Sequence, residues 1–149
     1  MNKLFWTGGA AAAVAALDLG TKVLAETRLT EAVNLLPLLR LELTHNPALA
    51  FGLPMPQPVI VLLSIAVLGW LMWLLQTKTQ NNWQTIAAFG LVLGGAIGNL
   101  WERAMHSQVT DFISFWIIPN FNLADAALTL GVILFIFYQR RIFLSAFFA

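Results

Sequence analysis

The chain has 149 residues, 59% hydrophobic and 10% charged. Soluble domains carry about 25% charged residues, so this composition and a mean hydropathy of +0.77 point to a membrane protein and exclude an ordinary soluble domain. A net charge of +1 excludes a strongly basic nucleic-acid surface, and the absence of cysteine excludes disulfides, thiolate nucleophiles and cysteine-ligated metals.

Four apolar stretches follow one another along a single integral membrane domain, residues 1–149. The first runs from Leu4 to about Leu24 and is interrupted only by Asp18 and Lys22. Its basic start at Lys3 and Ala-rich centre also fit a cleaved leader. However, the apolar run passes through Asp18 without a turn signal and three further stretches follow, so it is read as a span. Val59 to Leu75 and Trp83 to Trp101 carry no charge, and Asn122 to Tyr138 carries only Asp125. A helix needs about 20 residues at about 1.5 Å each to cross the hydrocarbon. With their flanks, all four stretches approach that length, and the fold class expected is an all-α protein of four transmembrane helices.

The connections differ in character. Residues 25–58 are mixed, and Leu39-Arg40-Leu41-Glu42-Leu43-Thr44 alternates strictly between apolar and polar, which predicts a half-buried strand. Five prolines, from Pro37 to Pro58, cut this region into short pieces. A small β element is therefore expected at the membrane surface between helices one and two. Gln76 to Gln84 is a short polar loop. Glu102 to Phe121 is long enough to fold back over the helices. The apolar tail after Arg140-Arg141 is expected to be an interfacial extension.

Four spans put both termini on one side together with the Gln76 to Gln84 loop. That side carries Lys3, Lys78, Arg140 and Arg141. The other carries Lys22, Arg28, Arg40 and Arg103 and all seven acids. Basic residues divide evenly, so the positive-inside rule does not decide. Lys22 and Arg103 have acids close in sequence, which favours cytoplasmic termini. Trp6, Trp83 and Trp101 suit interfacial anchoring.

Ionisable groups inside or at the edge of spans are costly, and so are candidates for function. Asp18 and Lys22 lie four apart on one helical face, as do Asn99 and Arg103. Both pairs also have plain structural readings, an interfacial ion pair and interhelical hydrogen bonding. Glu102 and Arg103 also fit a solvated helix end. Gly94, Gly95 and Gly98 suit close helix packing. His45 and His106 lie in polar connections and are read as surface residues, too few for an all-histidine metal site. Asp111 and Asp125 are each a lone carboxylate in an apolar segment. On the residues alone they fit a catalytic pair or an ion-binding site, and a coupled transporter subunit or a helical scaffold remains open.

Five blocks in order carry a resemblance. They are Asp18-Leu-Gly-Thr-Lys22, Asn46-Pro-Ala-Leu-Ala-Phe51, Gly94-Gly-Ala-Ile-Gly-Asn99-Leu-Trp-Glu-Arg103, Val109-Thr-Asp111-Phe112 and Phe121-Asn122-Leu-Ala-Asp125. Together they resemble lipoprotein signal peptidase, the type II signal peptidase family of bacterial membrane aspartic peptidases. The resemblance implies a catalytic dyad of Asp111 and Asp125. It implies substrate-site roles for Asn46, Asn99, Arg103 and Asn122, with Asp18 and Lys22 in support, and a small periplasmic β-cradle between helices one and two. It also implies a multi-pass protein of the bacterial inner membrane with cytoplasmic termini and an active site near the periplasmic face. The expected partners are membrane lipid and a diacylglyceryl-modified pro-lipoprotein, cleaved before its lipidated cysteine. No metal or other cofactor is expected, and the chain is read as a monomer. It departs from the family at Glu102, where Asp is usual, and at Ala48 and Ser107, where Gly is usual. Pro47 precedes Ala48, and the interval from Asp111 to Asp125 is short.

Two neighbouring carboxylates share one proton more cheaply than both ionise. The first turn of a helix favours negative charge at Asp125, and apolar neighbours disfavour it at Asp111. The expected resting state therefore has Asp125 ionised and Asp111 protonated.

Overall fold

The computed structural model describes residues 2–48, 55–77, 79 and 81–147, with side chains of the last helix to residue 138. Its elements are α1 (Lys3–Arg28), β1 (Val33–Leu36), β2 (Leu39–Asn46), α2 (Gln57–Thr77), α3 (Trp83–His106), β3 (Val109–Phe115), β4 (Ile118–Phe121) and α4 (Leu123–Phe147). By length and composition α1, α2 and α3 can each cross a membrane, and the apolar described part of α4, Leu123–Tyr138, is shorter. The tail expected as an interfacial extension continues α4 helically to Phe147.

Helix starts follow local chemistry. Asn2 caps α1 by accepting from the Phe5 amide at 3.3 Å, and Asn82 caps α3 by accepting from Thr85 at 2.9 Å. At the same end of the bundle, Lys3 Nζ donates to the backbone oxygens of Gln76 and Thr79 at 3.3 and 3.2 Å. A cation placed at the carbonyl end of α2 complements the helix dipole and ties the start of α1 to the end of α2.

Helix α3 is the centre of the bundle and packs on α1, α4 and α2. Its small residues let backbones approach. A Cβ at Gly95 would collide with the Ala124 carbonyl of α4, and one at Gly98 would lie 2.5 Å from Asp18 Oδ2 of α1. Phe89 and Phe135 add an edge-to-face contact at 5.3 Å between α3 and α4. Helix α2 is apolar all round and keeps most of its surface exposed, as a helix does when lipid is its neighbour.

The β element is larger than a hairpin between the first two helices. Four antiparallel strands form one sheet in the order β1-β2-β3-β4. Two strands come from the α1–α2 connection and two from the α3–α4 connection, so the expected location of the sheet is corrected by half. The predicted strand at Leu39 is β2 and runs two residues further, to Asn46. Strands β3 and β4 escaped prediction because Val109, Thr110 and Asp111 are all buried. A strand covered on both faces shows no alternation. This pairing sets Asp111 opposite Thr44 and Val109 opposite Asn46, and so carries the two connections to one place above the helix ends.

Candidate active site at the junction of sheet and helices

The site is built around the start of α4. Asn122 is the residue before the helix, and its side-chain oxygen accepts from the Asp125 amide at 2.9 Å. The Asp125 carboxylate in turn accepts from the Asn122 amide at 3.4 Å. This reciprocal pair is a capping box with Asp in the third helical position. A further orphan amide of the first turn, that of Ala124, donates to Asp18 Oδ1 at 2.8 Å. Asp18 is fully buried, so helix one holds the start of helix four directly.

Asn122 connects both carboxylates, Asp111 through its side-chain amide and Asp125 through its backbone amide. Its side-chain nitrogen lies 2.7 Å from Asp111 Oδ1, 3.2 Å from Asn99 Oδ1 and 3.3 Å from the Thr110 carbonyl oxygen. Asp111 Oδ2 accepts from Asn46 Nδ2 at 3.2 Å. Asn46 is itself oriented by an Asx turn, its oxygen accepting from the Ala48 amide at 3.0 Å. The backbone around Asp111 is fixed by Thr44, whose hydroxyl donates to the Asp111 carbonyl at 3.1 Å and accepts from Asn120 at 3.2 Å.

Asn99 is placed by a buried cation. Lys22 Nζ donates to Asn99 Oδ1 at 2.9 Å and pairs with Asp18 at 2.8 Å and Glu102 at 2.9 Å. With Lys22 and Asn122 both donating to its oxygen, the Asn99 amide has one sensible orientation. Its nitrogen then donates to Asp125 Oδ1 at 2.8 Å. Lys22 and Asp18 are almost wholly buried and hold Asn99 and the start of α4 in place. Arg103, one turn beyond Asn99, interacts electrostatically with Asp111, Asp125 and Glu102. Its Nη1 is buried without a hydrogen-bond partner among the described residues.

All eight sequence-predicted site residues therefore fall in one connected cluster. Residues 49–51 of the Asn46 to Phe51 block lie outside the described residues. Two participants, Glu102 and Thr110, were not among the expected site residues. Glu102 receives the Thr110 amide at 3.1 Å and the Thr110 hydroxyl at 2.8 Å, which anchors β3 one residue before Asp111. Thr110 also reaches Glu26 at 3.1 Å, and Glu26 lies 2.7 Å from His45. The position of Glu102 directly before Arg103 was the available signal. Its partners are remote in sequence or on another element. A cavity of about 490 Å³ lined by Leu19, Glu26, His45, Trp101, Glu102 and Thr110, among others, opens beside these groups and not at Asp111.

Burial is the main reason the Asp111 carboxyl is pushed up from its ordinary 3.8 to about 6. The nearby Asp125 charge raises it further, while hydrogen bonds from Asn46 and Asn122 and the charge of Lys22 oppose the rise. One acid with a raised proton affinity and a second, half-buried carboxylate joined to it through Asn122 can donate and accept a proton at the same centre.

Residues 10–141 match the family model described as signal peptidase (SPase) II. The chain is 37% identical over 123 residues to the lipoprotein signal peptidases of Brucella ovis and Brucella canis, covering 77% of each chain. Two solved structures described as a bacterial membrane enzyme superpose on it, each at 28% identity. One has a TM-score of 0.83 and covers 91% of this chain and 87% of its own. The other has a TM-score of 0.80, with 89% and 91% covered.

Proposed function

We propose that this chain, which belongs to the signal peptidase II family, is an intramembrane aspartic endopeptidase that cleaves diacylglyceryl-modified pro-lipoproteins just before the lipidated cysteine. Family membership makes it a membrane-embedded bacterial peptidase acting on the signal peptides of lipoproteins. The aspartic mechanism and the cleavage position are the finer reading. The observation that carries them is the bridge through Asn122, which bonds Asp111 through its side chain and Asp125 through its backbone amide.

In this reading the dyad shares one proton, held on Asp111, where burial favours the neutral acid. Asp125, supplied with donors by Asn99 and the Asn122 amide, is the base. It takes a proton from water, which attacks the scissile carbonyl. Asp111 donates to the carbonyl oxygen; as the tetrahedral intermediate collapses, Asp125 passes its new proton to the leaving amine and Asp111 takes its proton back from the hydroxyl. Arg103 offers its Nη1, unpartnered among the described residues, to a carbonyl of the signal peptide. Asn46, Asn99 and Asn122 line the peptide path, and Lys22 with Asp18 keeps Asn99 and the start of α4 in register.

Four spans, cytoplasmic termini and a site at the periplasmic face of the inner membrane complete the proposal. The two ends of the bundle support it. Lys3 meets the end of α2 at one end, and the acids gather with the sheet at the other. A lipid-anchored substrate would then reach the dyad by lateral diffusion. The test is cleavage of a purified diacylated pro-lipoprotein by wild type, Asp111→Asn and Asp125→Asn in lipid vesicles. Loss of turnover in both variants is expected. Retention of near wild-type turnover by either one removes the dyad, and ion flux without cleavage would favour a transporter.

A further inference from the structure

The far end of the sheet is apolar in a way the active site does not explain. Residues 35–39 are Leu-Leu-Pro-Leu-Leu and residues 115–118 are Phe-Trp-Ile-Ile, with no polar side chain in either run. Pairing brings the two runs together. Leu36, Leu39, Phe115 and Ile118 form one cross-strand row over all four strands. The Trp116 amide also donates to the Leu38 carbonyl at 3.3 Å, which ties one hairpin turn to the other. The side chains at this edge are not packed inward. Trp116 is 84% exposed and Ile117 82%, and Leu36, Leu38 and Ile118 are exposed as well. The next row back is polar, with Asn34, Arg40 and Ser114 in register and Arg40 paired with Glu42. Behind that single polar row the pleat returns to apolar residues, Val33, Leu41, Ile113 and Phe121.

We propose that this edge is seated in the lipid bilayer, with Leu36, Leu38, Trp116 and Ile117 below the headgroups and Arg40 at the water boundary. Lipid is the occupant that the surroundings supply. The β3–β4 hairpin leaves the end of one apolar helix, α3, and returns to the start of another, α4. At the same end of the bundle α1 and α3 expose Val23, Leu24, Ile97 and Trp101, so helices long and apolar enough to span a bilayer show apolar surface on the side of the bundle that carries the sheet. Tryptophan at the tip and a cation just behind it is the distribution found at membrane boundaries. The consequence is positional. Asp111 lies on β3, four residues before Phe115, and the chain between Asp111 and Asp125 has its midpoint at this edge. Seating the edge fixes the depth of Asp111 from the outside, as Asn122 and Glu102 fix it from the inside.

The chain has no cysteine, so single labels report without background. Nitroxide would be attached at Trp116→Cys, Ile117→Cys and Leu36→Cys in protein reconstituted into phosphatidylcholine–phosphatidylglycerol vesicles. Glu31→Cys, exposed beside the sheet, is the aqueous reference, and Leu63→Cys, exposed on α2, is the lipid reference. Access to oxygen and to a water-soluble nickel chelate is measured by spin resonance. The expected result is a shift of all three edge labels from the Glu31 ratio toward the Leu63 ratio. Nickel access equal to that at Glu31 overturns the proposal. So does line broadening that disappears on dilution with unlabelled protein, which would mean that a second copy covers the edge. The readout needs no catalysis, so it stands or falls apart from the peptidase reading. The two hairpins report independently if one variant fails to fold.

Discussion

Replacing Asp111 by Asn separates the electrostatic cost of the site from its hydrogen bonds. Asp111 is only 2% exposed, and its carboxyl is raised from 3.8 to about 6, chiefly by burial. That rise corresponds to about 3 kcal/mol of unfavourable ionisation in the folded chain. The folded protein binds this proton more tightly than the unfolded one. Stability is therefore undiminished below about pH 4, falls as pH rises from about 4 to about 6, and carries the whole cost above that. Asn cannot ionise and escapes this term. It has one acceptor oxygen where Asp111 uses two, for Asn122 and Asn46, so one amide donor is left facing another at a cost of about 1–3 kcal/mol. The variant should be about 1–3 kcal/mol less stable than wild type near pH 4 and between equal to it and about 2 kcal/mol more stable near pH 8. Reversible unfolding in mixed micelles at the two pH values measures the difference, and the carboxylates outside the dyad cancel in it. An equal difference at both pH values would refute the burial argument. Turnover should meanwhile fall by about 10²–10⁴-fold.

Lys22→Met keeps the length of the stem but leaves Asp18 and Glu102 without their cation, and a loss of about 3–5 kcal/mol is expected in the same unfolding assay. Turnover should fall in the fraction that folds, because the Asn99 amide loses the donor that orients it. Gly98→Ala puts a methyl group 2.5 Å from Asp18 Oδ2, so a loss of about 1–3 kcal/mol is expected, with frayed amide-exchange protection at the start of α4. Ser107 ends α3 in the left-handed region at φ 60°, where Gly carries no Cβ penalty. Ser107→Gly should stabilise by about 0.5–1 kcal/mol with cleavage unchanged, and thermal unfolding checks it.

The departures from the family pattern find physical places. The Gly usual at position 107 corresponds to the left-handed cap. Glu102, where Asp is usual, reaches both Lys22 and Thr110. The short interval between Asp111 and Asp125 is occupied by the rest of β3, a tight turn and β4, with no helix in it.

Several features were legible in the chain itself, for local reasons. Hydropathy marks the helices because lipid demands long apolar runs. Strict alternation marks β2 because one side of it is polar. Spacing of four marks Asp18 with Lys22, and isolation in apolar segments marks Asp111 and Asp125. Other features are decided only when remote segments meet. Strands β3 and β4 carry no periodic signal, since β3 begins buried on both faces and β4 is four residues long with a proline. Glu102 looks like a solvated helix end until Lys22, 80 positions earlier, and Thr110 close around it. Above all, sequence assigns a carboxylate to Asp111 but not its proton affinity. That depends on the burial imposed when β3 pairs with β2 above the helix ends, and on Asn122 setting the carboxyl beside Asp125.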